Sequence, residues 1–240
     1  MLLRLYTFII IGLLISSCGE DTSDLDVFFK LEYGDTPLVM LNEYEYPGGQ
    51  TIKFTRFSFY LSDINVSDGS ESQLIKDVDF LNLTNSHSRP ELASTGYRLN
   101  LEDISIKDPT DVSFNIGVDP DLNATIPADY SGDHPLAKPG EYWIGWSSYI
   151  FFKIEGIMDT TGDGDTDTNI ALHIGSDAML RPVRVDMPES SEKIDIMIDV
   201  KEIFENTNGL YDITMDPQIH SLNQVSQAEF LINNFQIQLQ

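Results

Sequence analysis

Cysteine is almost absent from this chain of 240 residues: Cys18 is the only one, so no disulfide can form within the chain. Basic residues are also scarce, with 14 Lys and Arg against 39 Asp and Glu and a formal net charge of −25. Such an acidic surface repels phosphate groups, which argues against nucleic acid as a partner and against electrostatic attraction to anionic lipids. Folding must therefore depend on a packed core, for which 41 % hydrophobic residues are sufficient.

A long hydrophobic run is also lacking. The uncharged apolar segment 5–15 is too short to span a hydrocarbon core of about 30 Å as a helix. It follows Arg4 and ends in Ile15-Ser16-Ser17-Cys18, which is typical of a signal peptide cleaved before a lipidated cysteine. We predict a signal peptide at 1–17, a lipidated tether at 18–24 and one folded domain at 25–240. The lipid on Cys18 would attach the protein to a membrane of a Gram-negative cell envelope, with the outer membrane as the expected site.

Motifs of enzymes are missing as well. The sequence has no Gly-x-Ser-x-Gly elbow, no His-Glu-x-x-His pair and no glycine-rich phosphate loop. Its single cysteine is assigned to the lipid, which leaves no thiol for catalysis. We therefore expect a protein that is not an enzyme.

Alternating apolar and polar residues fill most of the remaining chain and predict β-strands. A slip of phase between Phe54 and Phe57 indicates a β-bulge. Segment 119–140 is rich in proline, so we predict a long loop across one end of the domain. The whole pattern predicts an all-β single sandwich of Ig-like or Greek-key type. The predicted strands are 25–33, 51–66, 73–83, 96–101, 111–118, 142–157, 169–174, 180–186, 193–200 and 235–239, and the predicted helices are 201–205 and 222–233.

Four histidines are the first candidates for a metal site. His87 and His220 lie in polar or loop sequence, and we expect both to be exposed and without a role. His134 lies in the long loop. Its ring is either free or a metal ligand, and the sequence leaves both alternatives open. His173 alternates with core-type residues on its strand, so it points outward or towards the long loop; a structural role and a ligand role remain open.

The densest acidic loop spans residues 159–167. Its alternation of Asp with Gly would let a tight turn aim several carboxylate oxygens at a calcium ion. The EF-hand template is not met, because Ile170 stands at its twelfth position and no helices are predicted beside the loop. A looser calcium site and a solvated hairpin tip remain open, and the candidate ligands are Asp159, Asp163, Asp165 and Asp167.

Both tryptophans lie in one aromatic cluster, formed by Tyr142, Trp143, Trp146 and Tyr149. The cluster follows the long loop, at the point where the chain re-enters the predicted sheet. Core or rim packing explains it, and so does an exposed face that stacks on sugar rings. A calcium-stabilised surface module, or one that binds glycans, is therefore one alternative for the function.

Four blocks occur in one order and resemble the MbnP-like family: FSFYLSDI at 57–64, GVDPDLN at 117–123, GEYW through YIFFKIEG at 140–156, and LHIG at 172–175. The family consists of envelope β-sandwich proteins whose name-giving members bind copper. The resemblance, which extends over about 26–200, implies the same fold for this chain. For the copper-binding members, the resemblance also implies that a dihaem peroxidase-like partner oxidises a tryptophan to kynurenine. This modified residue lies beside histidines.

The family residues carry over only in part. Trp143 and His173 match the family pattern, whereas Ser62 and Ala124 stand where it has histidines and Gly145 stands where it has a second tryptophan. The resemblance thus implies a retained scaffold with most of the copper shell lost. We expect a non-enzymatic envelope lipoprotein that acts as a binding or partner-interaction module. The alternative is a copper-binding protein that uses His173, an oxidised Trp143 and His134.

Overall fold

The computed structural model describes residues 22–188, 191–207, 209–221 and 223–239. The predicted signal peptide and the predicted lipidation site, Cys18, lie outside the described residues. Within the described part, no helix is both long enough and apolar enough to cross a membrane.

Strands dominate the described chain. They are β1 Ser23–Tyr33, β2 Thr36–Pro37, β3 Tyr44–Glu45, β4 Thr51–Ser67, β5 Ser72–Asn82, β6 Tyr97–Ile104, β7 Asp111–Ile116, β8 Tyr142–Trp143, β9 Ser148–Asp159, β10 Thr168–Gly175, β11 Arg181–Asp186, β12 Lys193–Asp199, β13 Glu205–Asn206, β14 Gly209–Leu210 and β15 Gln218–Ile219. The helices are α1 Pro90–Thr95, α2 Pro120–Asn123, α3 Val200–Phe204 and α4 Val225–Gln238. Single 3₁₀ turns lie at Asn85–His87, Pro127–Asp129, Pro139–Glu141 and Asp177–Met179.

Two sheets pack face to face, which confirms the predicted all-β sandwich. In the smaller sheet, β1 pairs in parallel with β12 and antiparallel with β2 and β6. The larger sheet is arranged around β4, which carries β3 and β5 along one edge and β7 and β9 along the other. β10, β11 and β15 extend this sheet further. The predicted bulge is confirmed, because the pairing of β4 with β9 shifts register between Phe54 and Arg56.

β7 and β9 lie end to end along the same edge of β4. Leu61 pairs with Ile116 at the end of β7, while Phe59 pairs with Phe152 near the start of β9. The chain therefore leaves the sheet after β7 and returns to the same edge about thirty residues later. Connections of this length are uncommon in compact domains and are often functional loops. We call the intervening segment, residues 117–147, the outer loop. It lies on the outer face of the larger sheet, where the Tyr60 hydroxyl donates a hydrogen bond to the Pro135 carbonyl.

Two predicted elements differ from the structure. The single strand predicted at 142–157 is a hairpin of β8 and β9, because the chain turns at Ser147, which has a positive φ of 52°. The closing strand predicted at 235–239 is wrong, because α4 continues to Gln238 and buries Phe235. The ring of Phe235 stacks on that of Phe152 at 4.2 Å and meets Phe57 and Phe59 edge-on. α4 is thus part of the core at one end of the sandwich.

Candidate functional site

The outer face of the larger sheet carries a row of polar side chains beneath the outer loop. Successive residues of a strand point to opposite faces, so Lys153 and Glu155 lie on the outer face of β9 while Phe152 and Ile154 are buried in the core. His173 of β10 pairs with Lys153 and projects to the same outer face. The expectation that His173 points towards the long loop agrees with this placement.

His173 and His220 face one another at the edge of this row. Their ring centroids are 5.0 Å apart, with 53° between the ring planes. His220 follows β15, which pairs with β10 beside His173, so strand pairing brings the two imidazoles together. Burial is the main reason that the pKa of His220 lies below its ordinary value of about 6.5, and the nearby His173 lowers it further.

Each of these rings leaves one nitrogen without a partner. Nδ1 of His173 and Nε2 of His220 are buried and make no hydrogen bond to any described residue. Buried nitrogens of this kind are uncommon in folded proteins, because an unmade hydrogen bond costs about 1–3 kcal/mol. Two such atoms on neighbouring rings indicate a site that another group completes.

Trp143 covers the histidine pair. Its ring centroid lies 4.9 Å from that of His220 and 6.0 Å from that of His173, edge-on in both cases. Trp146 stacks on Trp143, with ring centroids 5.0 Å apart. Both tryptophans lie on the hairpin of β8 and β9. The end of the outer loop therefore packs an apolar side chain, Trp143, against the two imidazoles.

Ion pairs hold the end of the outer loop against the larger sheet. Glu141, two residues before Trp143, pairs with Arg56 of β4 and with Lys153, whose Nζ is 2.8 Å from a Glu141 carboxylate oxygen. The Lys153 ammonium also donates a hydrogen bond to the Gly140 carbonyl at 3.0 Å. Because Glu141 and Lys153 are both almost fully buried, removing Glu141 would leave the buried charge of Lys153 without an ionic partner. The position of Trp143 is therefore set by this ionic cluster.

The donor set of the pair fits a transition metal. Imidazole nitrogens suit copper, zinc, iron and nickel, whereas calcium and magnesium prefer oxygen ligands. With metal–nitrogen distances of about 2.0–2.1 Å, two imidazoles that share an ion have centroids about 4.5–6.5 Å apart, and the centroids here fall in that range. No group of three or more His, Cys, Asp or Glu side chains within the described ranges could hold a metal ion. The pair thus offers two imidazole nitrogens, Nδ1 of His173 and Nε2 of His220.

The predicted copper residues are brought together only in part. Trp143 and His173 lie in contact, as the resemblance implies. His134 instead stacks on Tyr130 with ring centroids 4.1 Å apart, and its Nδ1 accepts a hydrogen bond from the Leu136 amide. The imidazole that the structure places beside His173 is that of His220.

Two expectations about histidines are wrong. His220 is half-buried in the site rather than an exposed bystander. His87, also expected to be exposed, is fully buried between the two sheets, where its Nε2 accepts a hydrogen bond from the Leu31 amide at 2.9 Å. The other nitrogen of His87 bonds to the Leu83 carbonyl, so this ring is satisfied on both sides.

The acidic loop at 159–167 uses its carboxylates to shape its own turn. The Asp159 carboxylate accepts hydrogen bonds from the amides of Thr161, Gly162 and Gly164. Asp167 accepts from Thr160 and Thr168, and Asp163 accepts from the Asp165 amide. The structure does not bring these four Asp side chains together in a group that could hold a metal. Calcium binding at this loop stays a prediction.

The predicted aromatic cluster divides into two pairs. Trp143 stacks on Trp146, whereas Tyr142 packs edge-on against Tyr149, which is fully buried. Only the tryptophan pair is therefore placed beside the histidines, and Tyr149 is unavailable for stacking on a sugar ring.

Comparison with known proteins agrees with the fold. The family model for MbnP matches residues 22–221 of this chain. The solved structure of MbnP from Methylosinus trichosporium is similar, with a TM-score of 0.53 and 12 % sequence identity, over 80 % of this chain and 83 % of that one. At this level of identity the structural likeness shows a shared fold. No curated protein sequence matches the chain.

Proposed function

Because this chain belongs to the MbnP family, we propose that it is a copper-binding protein that holds one ion between His173 and His220. The observation that supports this is the pair of unpartnered buried nitrogens, Nδ1 of His173 and Nε2 of His220. Among the divalent ions that imidazole binds, copper binds most tightly, and Cu(I) is satisfied by few ligands. The bound ion would be a cargo or a redox centre, and we propose no catalysis by the protein itself.

A charge argument supports a monovalent ion. The ionisable side chains beside the pair are two cations, Arg56 and Lys153, and two carboxylates, Glu141 and Glu155, which balance one another. The two imidazoles add no charge when neutral. An ion in this partly buried site is therefore not neutralised by its surroundings, and the cost of burying its charge rises steeply from one unit to two.

Trp143 is the candidate for a further donor. The family resemblance implies that this residue is oxidised to kynurenine by a dihaem peroxidase-like partner, and its ring already lies against both imidazoles. We propose the same modification here, with the new carbonyl or amine group near the ion. Intact mass measurement of protein from the native host, followed by peptide mapping of Trp143, tests this step.

Copper loading of paired variants tests the site itself. We expect the wild type to retain about one copper ion per chain after dialysis against a competing chelator. His173→Ala and His220→Ala should each lose that ion, because one imidazole alone holds copper weakly. His134→Ala is the matched control and should retain it, since this ring stacks on Tyr130. Copper retained by His220→Ala, or absent from the wild type, contradicts the proposal.

Partner binding is a second proposed role, favoured by an apolar surface beside the site. Ile144, at the tip of the β8–β9 hairpin, is 85 % exposed. With Ile126 and Tyr142 it lines an open pocket of about 270 Å³. Exposed apolar surface of this kind is typical of protein contacts. Ile144→Ser should weaken binding to the dihaem partner, and should slow oxidation of Trp143, without changing copper retention.

Attachment to the envelope is proposed from the sequence. A lipid on Cys18 would place the folded domain a few residues from the membrane surface. Metabolic labelling with a fatty-acid analogue should mark the wild type but not Cys18→Ala. A labelled Cys18→Ala protein, or an unlabelled wild type, contradicts lipidation at this residue.

A further inference from the structure

We propose that Glu155 is a positioning residue of this site. Its carboxylate accepts a hydrogen bond from Nε2–H of His173, which leaves the lone pair of Nδ1 free to bind the ion. The inference rests on the proposed copper function. It concerns which nitrogen of His173 is free, and that can be measured without any metal.

The geometry of the sheet places the carboxylate at the ring. In the pairing of β9 with β10, Glu155 lies opposite Ala171 and Lys153 opposite His173, so Glu155 and His173 are diagonal neighbours on one face. A Glu155 carboxylate oxygen, Oε1, is 2.9 Å from His173 Nε2. A neutral imidazole has one N–H and one lone pair, and an ionised carboxylate can only accept. The proton is therefore on Nε2 and the lone pair on Nδ1.

Two basic side chains accompany Glu155 on the outer face of the larger sheet. Arg56 pairs with Glu155 in the register of β4 and β9, and Lys153 lies two residues before Glu155 on β9. The same two cations hold Glu141 and the outer loop. The carboxylate of Glu155 therefore lies in a cluster of opposite charges, where its contact with His173 is that of an acceptor.

The unpartnered Nδ1 is the observation that this arrangement explains. His87 is also buried, yet both of its nitrogens have partners. In His173 one nitrogen is held by a carboxylate and the other is buried and unpartnered beside His220. A carboxylate behind a metal-binding imidazole fixes the orientation of the ring and makes the free nitrogen a better donor. Loss of such a carboxylate typically weakens metal binding about 10–100-fold.

The test combines ring ¹⁵N chemical shifts of His173 in the metal-free protein with copper affinity. In the wild type at pH 8, Nε2 should show the shift of a protonated nitrogen and Nδ1 that of an unprotonated one. In Glu155→Ala the two shifts should move towards each other, because the tautomers mix, and copper affinity should fall about 10–100-fold. Glu155→Gln keeps an acceptor oxygen but loses the charge, so its affinity should lie between those of the wild type and Glu155→Ala.

Glu102→Ala is the matched control, because Glu102 is an exposed residue of β6, in the smaller sheet. It should leave the ring shifts and the affinity unchanged. A protonated Nδ1 in the wild type overturns the inference, and so does a Glu155→Ala protein whose tautomer and copper affinity equal those of the wild type. Failure of the wild type to bind copper overturns the proposed function, whereas the ring shifts of the metal-free protein separately decide the role of Glu155.

Discussion

At the scale of single residues, the imidazoles of His87, His173 and His220 differ in how their nitrogens are satisfied. His87 joins the two sheets, with one nitrogen accepting the Leu31 amide proton and the other bonded to the Leu83 carbonyl. His173 and His220 each leave a buried nitrogen without a partner. The first arrangement stabilises the fold, whereas each unmade hydrogen bond of the second has a cost in stability.

His87 should make the free energy of unfolding depend on pH. Burial lowers its pKa in the folded protein below the ordinary value of about 6.5. As pH falls below about 6.5, the unfolded chain takes up a proton that the folded protein resists, so folded stability decreases. The contribution is fully present above pH 6.5. Urea unfolding of the wild type between pH 7.5 and 5.5 should show this loss.

The comparison with His87→Gln isolates the effect. Glutamine keeps an acceptor for the Leu31 amide but does not titrate, so the variant should lose less stability than the wild type over the same pH range. Other groups, including His220, contribute equally to both proteins. Parallel pH dependence of the two proteins would show that His87 does not titrate in the expected direction.

Gly145 should control the position of Trp143. A Cβ at residue 145 would lie 2.9 Å from Trp143 Nε1, which is closer than the two atoms can approach. Gly145→Ala should therefore displace the indole, change the near-ultraviolet circular dichroism of the stacked tryptophans and weaken copper retention.

Gly140→Ala is the control for that substitution, because a Cβ there would meet no atom within 4 Å. Its spectrum and copper retention should equal those of the wild type. An unchanged spectrum in Gly145→Ala would mean that the indole does not depend on the missing side chain.

At the scale of elements, the sequence predicts most strands but not their neighbours. Alternation shows which residues face the core, and it also located the bulge near Phe54. It cannot show that β7 and β9 lie end to end on one edge of β4, because pairing partners depend on the whole chain. For the same reason, the sequence could not predict that His220 lies beside His173. That position depends on the pairing of Leu172 with Ile219, which are far apart in sequence.

The last helix shows a second limit. Residues 235–239 alternate like a strand, yet Ala228, Leu231, Ile232 and Phe235 are buried at helical spacing, so packing against the sheet decides the element. A window of five residues is too short for the two periods to be distinguished. Longer periodic segments such as β4 were predicted nearly to their ends.

Phe235 should anchor α4 to the larger sheet. Its ring is fully buried and packs against Phe57, Phe59 and Phe152. Phe235→Ala should lower the free energy of unfolding by about 3–5 kcal/mol, because it removes a large side chain and leaves a cavity. Urea denaturation measures the loss. Phe230→Ala, on a half-buried position of the same helix, should cost clearly less. A loss in Phe235→Ala no larger than that in Phe230→Ala would contradict the anchoring role of Phe235.

At the scale of the whole molecule, the excess of acidic residues should oppose folding. Most of the basic side chains already lie in ion pairs, among them Lys30, Lys53, Arg56, Arg98, Lys153 and Arg184. The net charge of −25 therefore comes from the large excess of carboxylates over basic side chains. Self-repulsion of this kind destabilises a compact state and is screened by salt over about 10 Å at 0.1 M.

Sodium chloride should accordingly stabilise the protein. We expect the urea midpoint to rise between 0.01 M and 0.3 M NaCl, because the Debye length shortens from about 30 Å to below 10 Å. Urea is the appropriate denaturant, since guanidinium chloride would itself screen the charges. A midpoint that does not change, or that falls, would mean that the attractive ion pairs outweigh the repulsion.

Calcium chloride at the same ionic strength then separates general screening from a specific site. The carboxylates of Asp159 and Asp167 accept hydrogen bonds within their loop, and the described structure does not bring the four Asp side chains together in a group that could hold a metal. We therefore expect calcium to raise the midpoint no more than the screening equivalent of sodium does. A larger rise that disappears in Asp163→Asn, but not in the exposed control Asp186→Asn, would instead assign a calcium site to this loop, because neutralising one ligand weakens such a site.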